Sequence, residues 1–374
     1  MKVILSRKGM DSEAGGMASP ILPDGTLLSL PIPDENSKQH YETFIYKEHS
    51  FGEIIHQLNP RFNFDKNFSC HLDPDIYDNI EGKPKEWKAA FGQSGVSARH
   101  LDKMQVGIGD IFLFYGMFRE TIQQADGTLS YAPGSPVRHI IYGYMEVGEI
   151  LKRQQDIEER YSWHPHSSGE GRSYNRLYLP KQYGTFQYDD SLVLTKPEQN
   201  SRRMWRLPVF FAENGISISW QGNNRPIYKD GYAELNSSCR GQEFVITTST
   251  VEQEENLRNW IDSIIQAGKG NMDKTNLSTV HQSVPKTVML NHFNYLDEYG
   301  NVFCKRLNKI HTVAPEYKEC GNCPYLFGSL QGQGVECRWE DVPSESPCGL
   351  YVKDPQKELA RVSRLVKEKV IENS

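Results

Sequence analysis

Two long apolar runs, separated by roughly twenty residues, constrain the fold more than any other feature of the sequence. The first is VGIGDIFLFYGMF, from Val106 to Phe118, and the second is HIIYGYMEVGEIL, from His139 to Leu151. Consecutive β-branched and aromatic residues are typical of strands buried on both faces. Gly143 and Gly148 interrupt the second run, and glycine inside a strand marks a bulge, a barrel corner or a close backbone approach. The pair therefore predicts two core strands of a small barrel.

Shorter elements surround this pair over the first 267 residues. The short β-like runs, separated by Gly, Pro, Asn and Asp, are Lys2 to Leu5, Thr26 to Leu30, Leu192 to Leu194, Val209 to Phe211, Ile216 to Trp220 and Phe244 to Thr247. Helices are predicted over Ser94 to Met104 and over Val251 to Gln266, where apolar residues recur with helical spacing. The fold class expected is α+β, with a curved sheet or a PUA-like β-barrel and flanking helices.

The 374 residues are too many for one ordinary core. A polar segment with Gly and Pro, residues 268–286, predicts a linker between a domain over 1–267 and a small module over 287–374. No window is apolar enough to span a bilayer and the first residues lack the order of a secretory signal, so we expect a cytoplasmic protein with no membrane partner. The formal net charge of −6 requires any basic surface for nucleic acid to be local.

Four of the seven cysteines lie close together near the carboxyl end. Cys320 and Cys323 form a C-x2-C pair, followed by Cys337 and Cys348. Four thiolates in this arrangement suit a tetrahedral ion, so a structural zinc site is predicted, with an iron–sulfur cluster the less favoured metal group. The alternative is a set of buried free thiols. A module of this size, which ends in a predicted helix after Asp354, would gain stability from a metal.

Three polar stretches provide candidate site residues in the first domain. In SRKGMD, Arg7 and Lys8 suit a phosphate or carboxylate, and Asp11 suits a sugar hydroxyl or a base amine. In SWHPHSSGEGRSYN, the two histidines flanking a proline, His164 and His166, suit proton transfer, or metal binding together with Glu170 or Asp110. The alternatives are a solvated turn for the first stretch and an exposed loop for the second.

The third stretch is CRGQEFVI, just before a predicted strand. The amide of Gln242 suits an adenine-like edge, and Glu243 suits a base amine or an ion pair with Arg7. A structural turn or ion pair is the alternative. Signatures of phosphate-binding loops, serine hydrolases and zinc deaminases are absent from the sequence.

The order of these motifs resembles a known family. The strand pair is similar to barrels of the PUA class, including the EVE and YTH readers of modified bases, which hold a flipped base among aromatic residues. Taken together, SRKGMDSEAGG, PDGTLLSLPIP, AFGQSG, GDIFLFYGMFR, WHPH, YNRLYLP and RGQEFV resemble the nucleotide modification associated domain of the third type over about residues 1 to 267. Met10 and Met117 stand where the pattern would lead us to expect aromatic residues.

The resemblance implies a role around modified nucleotides in phage or bacterial systems that modify DNA. The first hypothesis is recognition or processing of a modified nucleotide or base, alongside other components of such a system. The second is an enzyme using acid–base chemistry, and the third is a zinc-stabilised interaction protein without catalysis. The residues assigned to catalysis are Lys8, Asp11, His164 and His166, and those assigned to nucleotide binding are Ser6, Arg7, Gln93, Asp110, Tyr115, Asn175, Gln242 and Glu243.

Overall fold

The computed structural model describes residues 1–62, 69–168, 173–197, 201–238, 241 and 243–269, together with the backbone of five short strands between 293 and 337. The chain divides into two compact units, residues 1–274 and 275–374. Within the described part of the first unit, the strands are β1 (Val3–Arg7), β2 (Ser19–Ile21), β3 (Ile32–Pro33), β4 (Gln39–His40), β5 (Ile45–Tyr46), β6 (His49–Ser50), β7 (Ser69–His71), β8 (Ile80–Glu81), β9 (Phe91–Gln93), β10 (Ile111–Gln123), β11 (Leu129–Tyr131), β12 (Arg138–Leu151), β13 (Arg176–Thr185), β14 (Met204–Leu207), β15 (Ser217–Ile218), β16 (Ile227–Lys229), β17 (Tyr232–Asn236) and β18 (Glu243–Thr247).

Four α-helices accompany these strands in the described residues: α1 (Phe51–Leu58), α2 (Gly95–Lys103), α3 (Gln154–Arg160) and α4 (Val251–Gly268). Short 3₁₀ helices cover Pro165–Ser167, Asp190–Leu192 and Val209–Ala212. The helix α1 begins at a capping box, because the Ser50 hydroxyl accepts from the Glu53 N–H and the Glu53 carboxylate accepts from the Ser50 N–H. The helix α4 begins at Thr250, whose side chain accepts from the Gln253 N–H.

A strongly curled sheet of nine strands forms a half-barrel at the centre of the first unit. Its strand order is β15-β18-β1-β10-β12-β13-β9, with β2 and β11 also paired to β10. The strand β1 runs parallel to β10 and antiparallel to β18. Smaller three-stranded sheets are β14-β17-β16, β3-β7-β4 and β6-β5-β8. The mixed α+β class and the curved sheet are therefore confirmed, and the PUA-like assignment stays a prediction.

Glycines in the long strands allow the sheet to curl. A Cβ atom on Gly143 would lie 2.8 Å from the Gly184 oxygen, and one on Gly148 would lie 2.9 Å from the Lys181 nitrogen. The register of β12 against β10 and β13 also shifts near these residues. The predicted close approach of backbones at both glycines is confirmed, and such irregularities increase local twist.

The aromatic residues of β10 belong to the core. Phe112 and Phe114 are fully buried, and both contact Phe91 edge-on, with ring centroids 4.9 and 5.1 Å apart. Tyr178 stacks on the same Phe91 ring at 5.8 Å. Because rings of this size contribute large apolar areas, this group is a main source of hydrophobic stabilisation for the half-barrel.

Several short elements differ from the sequence prediction. The run at 209–211 was expected as a strand, but a 3₁₀ helix occupies 209–212; in the run at 192–194, Leu192 ends a 3₁₀ helix and Val193 makes only an isolated bridge to Ile140. Between Thr26 and Leu30, only isolated bridges occur. A buried run of three to five apolar residues has no period that separates strand from helix. Conversely, β13 contains Pro180, which argues against a strand in sequence reasoning.

The second unit contains five described strands: β19 (Phe293–Tyr295), β20 (Asn301–Cys304), β21 (Lys309–Thr312), β22 (Leu326–Leu330) and β23 (Gly334–Cys337). Cys337 ends β23, whereas Cys320, Cys323 and Cys348 lie outside the described residues, as does the predicted helix after Asp354. The four-cysteine zinc site therefore stays a prediction. Across the described residues, no helix combines the length and apolar character needed to cross a membrane.

Candidate functional site

The residue that follows β1 carries a buried positive charge. The Lys8 Nζ lies 2.7 Å from Glu243 Oε1, and the two side chains are 8% and 0% exposed. Gln93 donates its Nε2–H to the same Glu243 oxygen, and the Lys8 ammonium lies 4.8 Å from the Phe91 ring centroid. The register of β1 against β18 places Ser6 opposite Glu243. We call Ser6, Lys8, Gln93 and Glu243 the Lys8 cluster.

Polar atoms at this cluster lack partners among the described residues. They are the Ser6 hydroxyl and Glu243 Oε2; the hydroxyl of Tyr178, whose ring stacks on Phe91, lacks a partner as well. A buried polar atom that makes no hydrogen bond costs about 1–3 kcal/mol. Such atoms in a folded protein point to water or a ligand that completes their hydrogen bonds.

Arg7 and Asp11 do not belong to the Lys8 cluster, because Arg7 alternates with Ser6 along β1 and pairs with Tyr115, so its side chain points to the opposite face of the sheet. Their side chains are partly exposed, with Arg7 Nε 3.8 Å from Asp11 Oδ2. Asp11 Oδ1 also accepts the backbone N–H groups of Glu13 and Ala14, so this carboxylate shapes the turn after β1. Burial raises the pKa of Tyr115; the charge of Arg7 opposes this shift, and the charges of Glu243 and Asp11 add to it.

Two other predicted residues are placed differently. Asp110 lies beside Lys2, at the opposite end of β1 from Lys8, and accepts the backbone N–H groups of Lys2 and Gly107. The five residues of β1 separate Lys2 from Lys8, so six steps of roughly 3.3 Å place these two residues about 20 Å apart. The structure therefore does not bring Asp110 to the Lys8 cluster. Gln242 lies outside the described residues.

An exposed tryptophan lies near Glu243. Trp220 is 41% exposed, and its backbone has a φ of 66°, which is uncommon for a bulky residue. The ring of His100 lies 4.8 Å from the Trp220 ring, and a Cβ on Gly241 would lie 2.9 Å from Trp220 Cγ. Glu243 also raises the pKa of His100, although burial lowers it overall. A strained, exposed aromatic residue beside buried charge is a feature of functional sites.

A second polar group surrounds Asp73. His71 Nε2 lies 3.7 Å and His166 Nε2 lies 3.8 Å from Asp73 Oδ2. His164 Nε2 lies 3.3 Å from the other oxygen, Oδ1, which also accepts the Gly92 N–H at 2.8 Å. With Asn175, which contacts His166, these residues are called the histidine cluster: His71, Asp73, His164, His166 and Asn175.

Hydrogen bonds fix the orientation of each imidazole. His164 Nδ1 accepts the His166 backbone N–H, which leaves the proton of a neutral ring on Nε2, facing Asp73. His166 Nδ1 lies 2.6 Å from Asn175 Oδ1, while the Asn175 amide donates to the His166 carbonyl. His71 Nδ1 lies 2.9 Å from Asp34 Oδ2. Since each Nδ1 of His71 and His166 faces an acceptor, the lone pair of a neutral ring lies on Nε2.

The electrostatics of the cluster keep Asp73 ionised. Its side chain is 5% exposed, and burial alone would raise the pKa. Interactions with His164 and His71, and the charges of His164 and His166, reverse this effect and hold the pKa of Asp73 well below its ordinary value. An ionised carboxylate surrounded by imidazoles is a donor set suited to a metal ion or to proton transfer.

The strand β9 lies between the two clusters. A Cβ on Gly92 would meet the His166 ring, whereas Phe91 and Gln93 face Lys8 and Glu243. Alternate residues of a strand point to opposite faces, so one three-residue strand contributes to both clusters. The sequence prediction grouped Lys8 with His164 and His166, and the structure places them on opposite sides of β9.

His71 and Asp73 were not among the predicted site residues. They occur in HLDPD, at the end of β7, where an i, i+2 spacing in extended backbone directs both side chains to one face. This H-x-D-P pattern is the signal that could have found them. The carboxylate facing the histidines is Asp73, rather than the expected Asp110; Glu170 lies outside the described residues.

A third histidine, His139, lies behind Tyr115. His139 is partly exposed to solvent. Its ring lies between Tyr115 and Trp205, and its Nδ1 accepts the Trp205 Nε1–H at 3.1 Å. Burial, together with the charges of Arg202 and Arg7, lowers the pKa of His139 to about 3, while the charge of Asp11 opposes this shift.

Acidification should therefore destabilise the first unit through His139. Below about pH 6.5 the unfolded chain binds a proton that the folded protein does not, so stability falls until the pH reaches the folded pKa of about 3. We expect a loss of about 1 kcal/mol per pH unit in that window. Urea unfolding of the wild type and of His139→Phe between pH 7 and pH 4 measures this term as a difference in slope, and equal slopes would contradict it.

The fold and these clusters define an α+β domain with two buried polar clusters on a curled half-barrel. The chain belongs to the nucleotide modification associated domain 3 family, whose model matches residues 2–247. That match confirms the predicted family and associates the chain with nucleotide modification; it ends with β18 and does not include α4. Comparison with curated proteins and with solved structures gave no match.

Proposed function

We propose that the first unit recognises or processes a modified nucleotide or base in a DNA modification system, with the Lys8 cluster as the part that reads the base. The observation that carries this proposal is the set of buried polar atoms without partners, Ser6 Oγ, Glu243 Oε2 and the Tyr178 hydroxyl. A carboxylate oxygen accepts from an exocyclic amine or a ring N–H, and the two hydroxyls donate or accept. Together they match the polar edge of a nucleobase.

The surroundings supply the remaining contacts that a nucleotide needs. Arg7 is partly exposed and only loosely paired with Asp11, at 3.8 Å, so its guanidinium is available for a phosphate. Trp220 presents an exposed ring near Glu243, and base–aromatic stacking contributes about 1–3 kcal/mol. A base edge at Glu243 and a ring stacked on Trp220 form the proposed mode of binding, and Arg7, on the other face at the end of β1, would contact a phosphate that extends past this strand end.

An enzyme is the second candidate. The specific support is the histidine cluster, where His164 and His166 lie beside an ionised carboxylate on the other side of β9. Its imidazoles suit proton transfer near neutral pH. Because Lys8 and Asp11 lie away from these histidines, the acid–base set of an enzyme centres on His164, His166 and Asp73 in this proposal. A zinc-stabilised interaction protein without either activity is the third possibility.

Removing a buried hydroxyl tests the role of the Lys8 cluster. Since the Tyr178 hydroxyl has no partner among the described residues, Tyr178→Phe should leave the free energy of unfolding unchanged or slightly higher. The same change should raise the Kd for a bound deoxynucleoside monophosphate about tenfold, which is the loss of one hydrogen bond. Ser6→Ala should have the same two effects, on the free energy of unfolding and on the Kd. Calorimetric titration with the four deoxynucleoside 5′-monophosphates and urea unfolding measure the two effects.

The matched control is Tyr77→Phe. The Tyr77 hydroxyl is buried and donates to the Leu27 carbonyl at 2.7 Å while accepting the Ser29 N–H at 2.8 Å. Its removal should lower the free energy of unfolding by about 1–3 kcal/mol without changing nucleotide affinity. If the wild type binds neither these four nucleotides nor their base-modified forms, or if Tyr178→Phe binds them as tightly as the wild type, the proposed role of the Lys8 cluster is wrong and the interaction-protein hypothesis gains support.

A further inference from the structure

The histidine cluster has the geometry of a metal centre. His71 Nε2, Asp73 Oδ2 and His166 Nε2 lie within 4.8 Å of one another. The separations of 3.7 and 3.8 Å from the carboxylate oxygen to the two nitrogens exceed the 2.7–3.2 Å of an ordinary hydrogen bond. Donor atoms bound to one zinc or iron ion lie about 3.0–3.4 Å apart. Small rotations of the two histidine side chains close this difference.

The outer contacts of the cluster are those that metal ligands need. His71 faces Asp34 through Nδ1, and His166 faces Asn175 through Nδ1, so both rings direct Nε2 inwards. Asp73 Oδ1 is held by the Gly92 N–H and faces His164, so Oδ2 is the oxygen directed at the two Nε2 atoms. A ligating histidine almost always has such a partner on its other nitrogen.

We infer that His71, Asp73 and His166 bind one divalent first-row transition-metal ion. Two imidazoles and one carboxylate suit Fe²⁺, Co²⁺ or Zn²⁺ and leave coordination positions for water or a substrate oxygen. His164 is a positioning residue, because its Nδ1 accepts a backbone N–H and its Nε2 faces Asp73 Oδ1. This site does not depend on nucleotide binding at the Lys8 cluster.

Cobalt binding tests the site directly, provided that the cysteines of the second unit are substituted so that they cannot bind the ion. In the full chain with Cys320→Ser and Cys323→Ser, stripped by a chelator, we expect one equivalent of Co²⁺ to bind. Its visible spectrum should lack the intense charge-transfer band of a thiolate–cobalt bond. The ion should also raise the Tm, since it binds the folded state alone. Without the cysteine substitutions, a second ion with thiolate character is expected.

Substitutions in the same background identify the ligands. Asp73→Asn and His166→Gln should abolish binding of the equivalent of Co²⁺ and its effect on Tm. Asp34→Asn, which alters only the residue behind His71, should weaken binding by about 10–100-fold. His56→Gln, at an exposed histidine of α1, is the control and should bind as the background does. The inference fails if the folded background protein takes up no ion, or if Asp73→Asn binds Co²⁺ with unchanged affinity.

Discussion

Replacing Glu243 by alanine is expected to lower the free energy of unfolding by about 3–5 kcal/mol, because it leaves the buried Lys8 ammonium without its counter-charge. The Lys8 side chain is 8% exposed and lies 2.7 Å from Glu243 Oε1. Gln93 would also lose the acceptor of its amide. Chemical unfolding in urea measures the change, with circular dichroism to verify that the variant folds.

The matched control is an exposed ion pair of similar length. Arg160 Nη1 lies 2.6 Å from Glu149 Oε1, with both side chains about half exposed. Glu149→Ala should therefore cost less than about 1 kcal/mol. The double variant Lys8→Met with Glu243→Gln should recover much of the loss, since it removes the unpaired charge and keeps an acceptor for Gln93. If Glu243→Ala lowers the free energy of unfolding by no more than Glu149→Ala does, then the Lys8–Glu243 pair is solvated in the folded protein.

The second large effect is expected at Gly92. A Cβ at this position would lie 2.2 Å from His166 Cδ2 and 2.4 Å from Cγ. The His166 ring cannot easily retreat, because Asn175 holds its Nδ1 at 2.6 Å. Gly92→Ala should therefore cost about 1–3 kcal/mol through overpacking. It should also displace His166 from Asp73 and so weaken Co²⁺ binding at the histidine cluster.

Two further variants separate this clash from a general effect of losing a glycine. Gly107→Ala is the control, since a Cβ there meets no atom within 4 Å. The double variant Gly92→Ala with His166→Ala removes the clash. Its loss in the free energy of unfolding should therefore be smaller than the sum of the losses in the two single variants. Urea unfolding of the wild type, Gly92→Ala, His166→Ala and the double variant measures this interaction. Equal stability of Gly92→Ala and Gly107→Ala would mean that β9 shifts freely to accommodate the methyl group.

The sequence predicted the parts of the fold that rest on long patterns. The two apolar runs form β10 and β12, and the residues after 250 whose apolar spacing predicted a helix form α4. Such elements repeat one signal over many residues. Short runs such as 209–211 carry no period, and β13 was concealed by Pro180, which pairs with Val147 of β12 at a register shift, beyond the residues that pair with β9.

Many residues of the candidate site could be chosen from the sequence, but the way in which they are arranged in space could not. Ser6, Lys8, Gln93 and Glu243 meet because β1 pairs with β18 and packs near β9, and this pairing joins residues 235 positions apart. Nothing local in the sequence specifies that β9 separates Lys8 from His166. His71 and Asp73 were missed because a single H-x-D spacing is common, and it gains meaning only beside the WHPH segment.

The position of β9 has a thermodynamic consequence. It has three residues, lies at the edge of the nine-stranded sheet and is hydrogen-bonded to β13 alone within it. A ligand that shifts the backbone of β9 at Gln93 on one face would also shift Gly92, and with it the N–H donated to Asp73 on the other face. Such a shift would couple the two clusters although each can bind alone, and the coupling would be reciprocal: occupancy of either cluster would change the affinity of the other by the same factor.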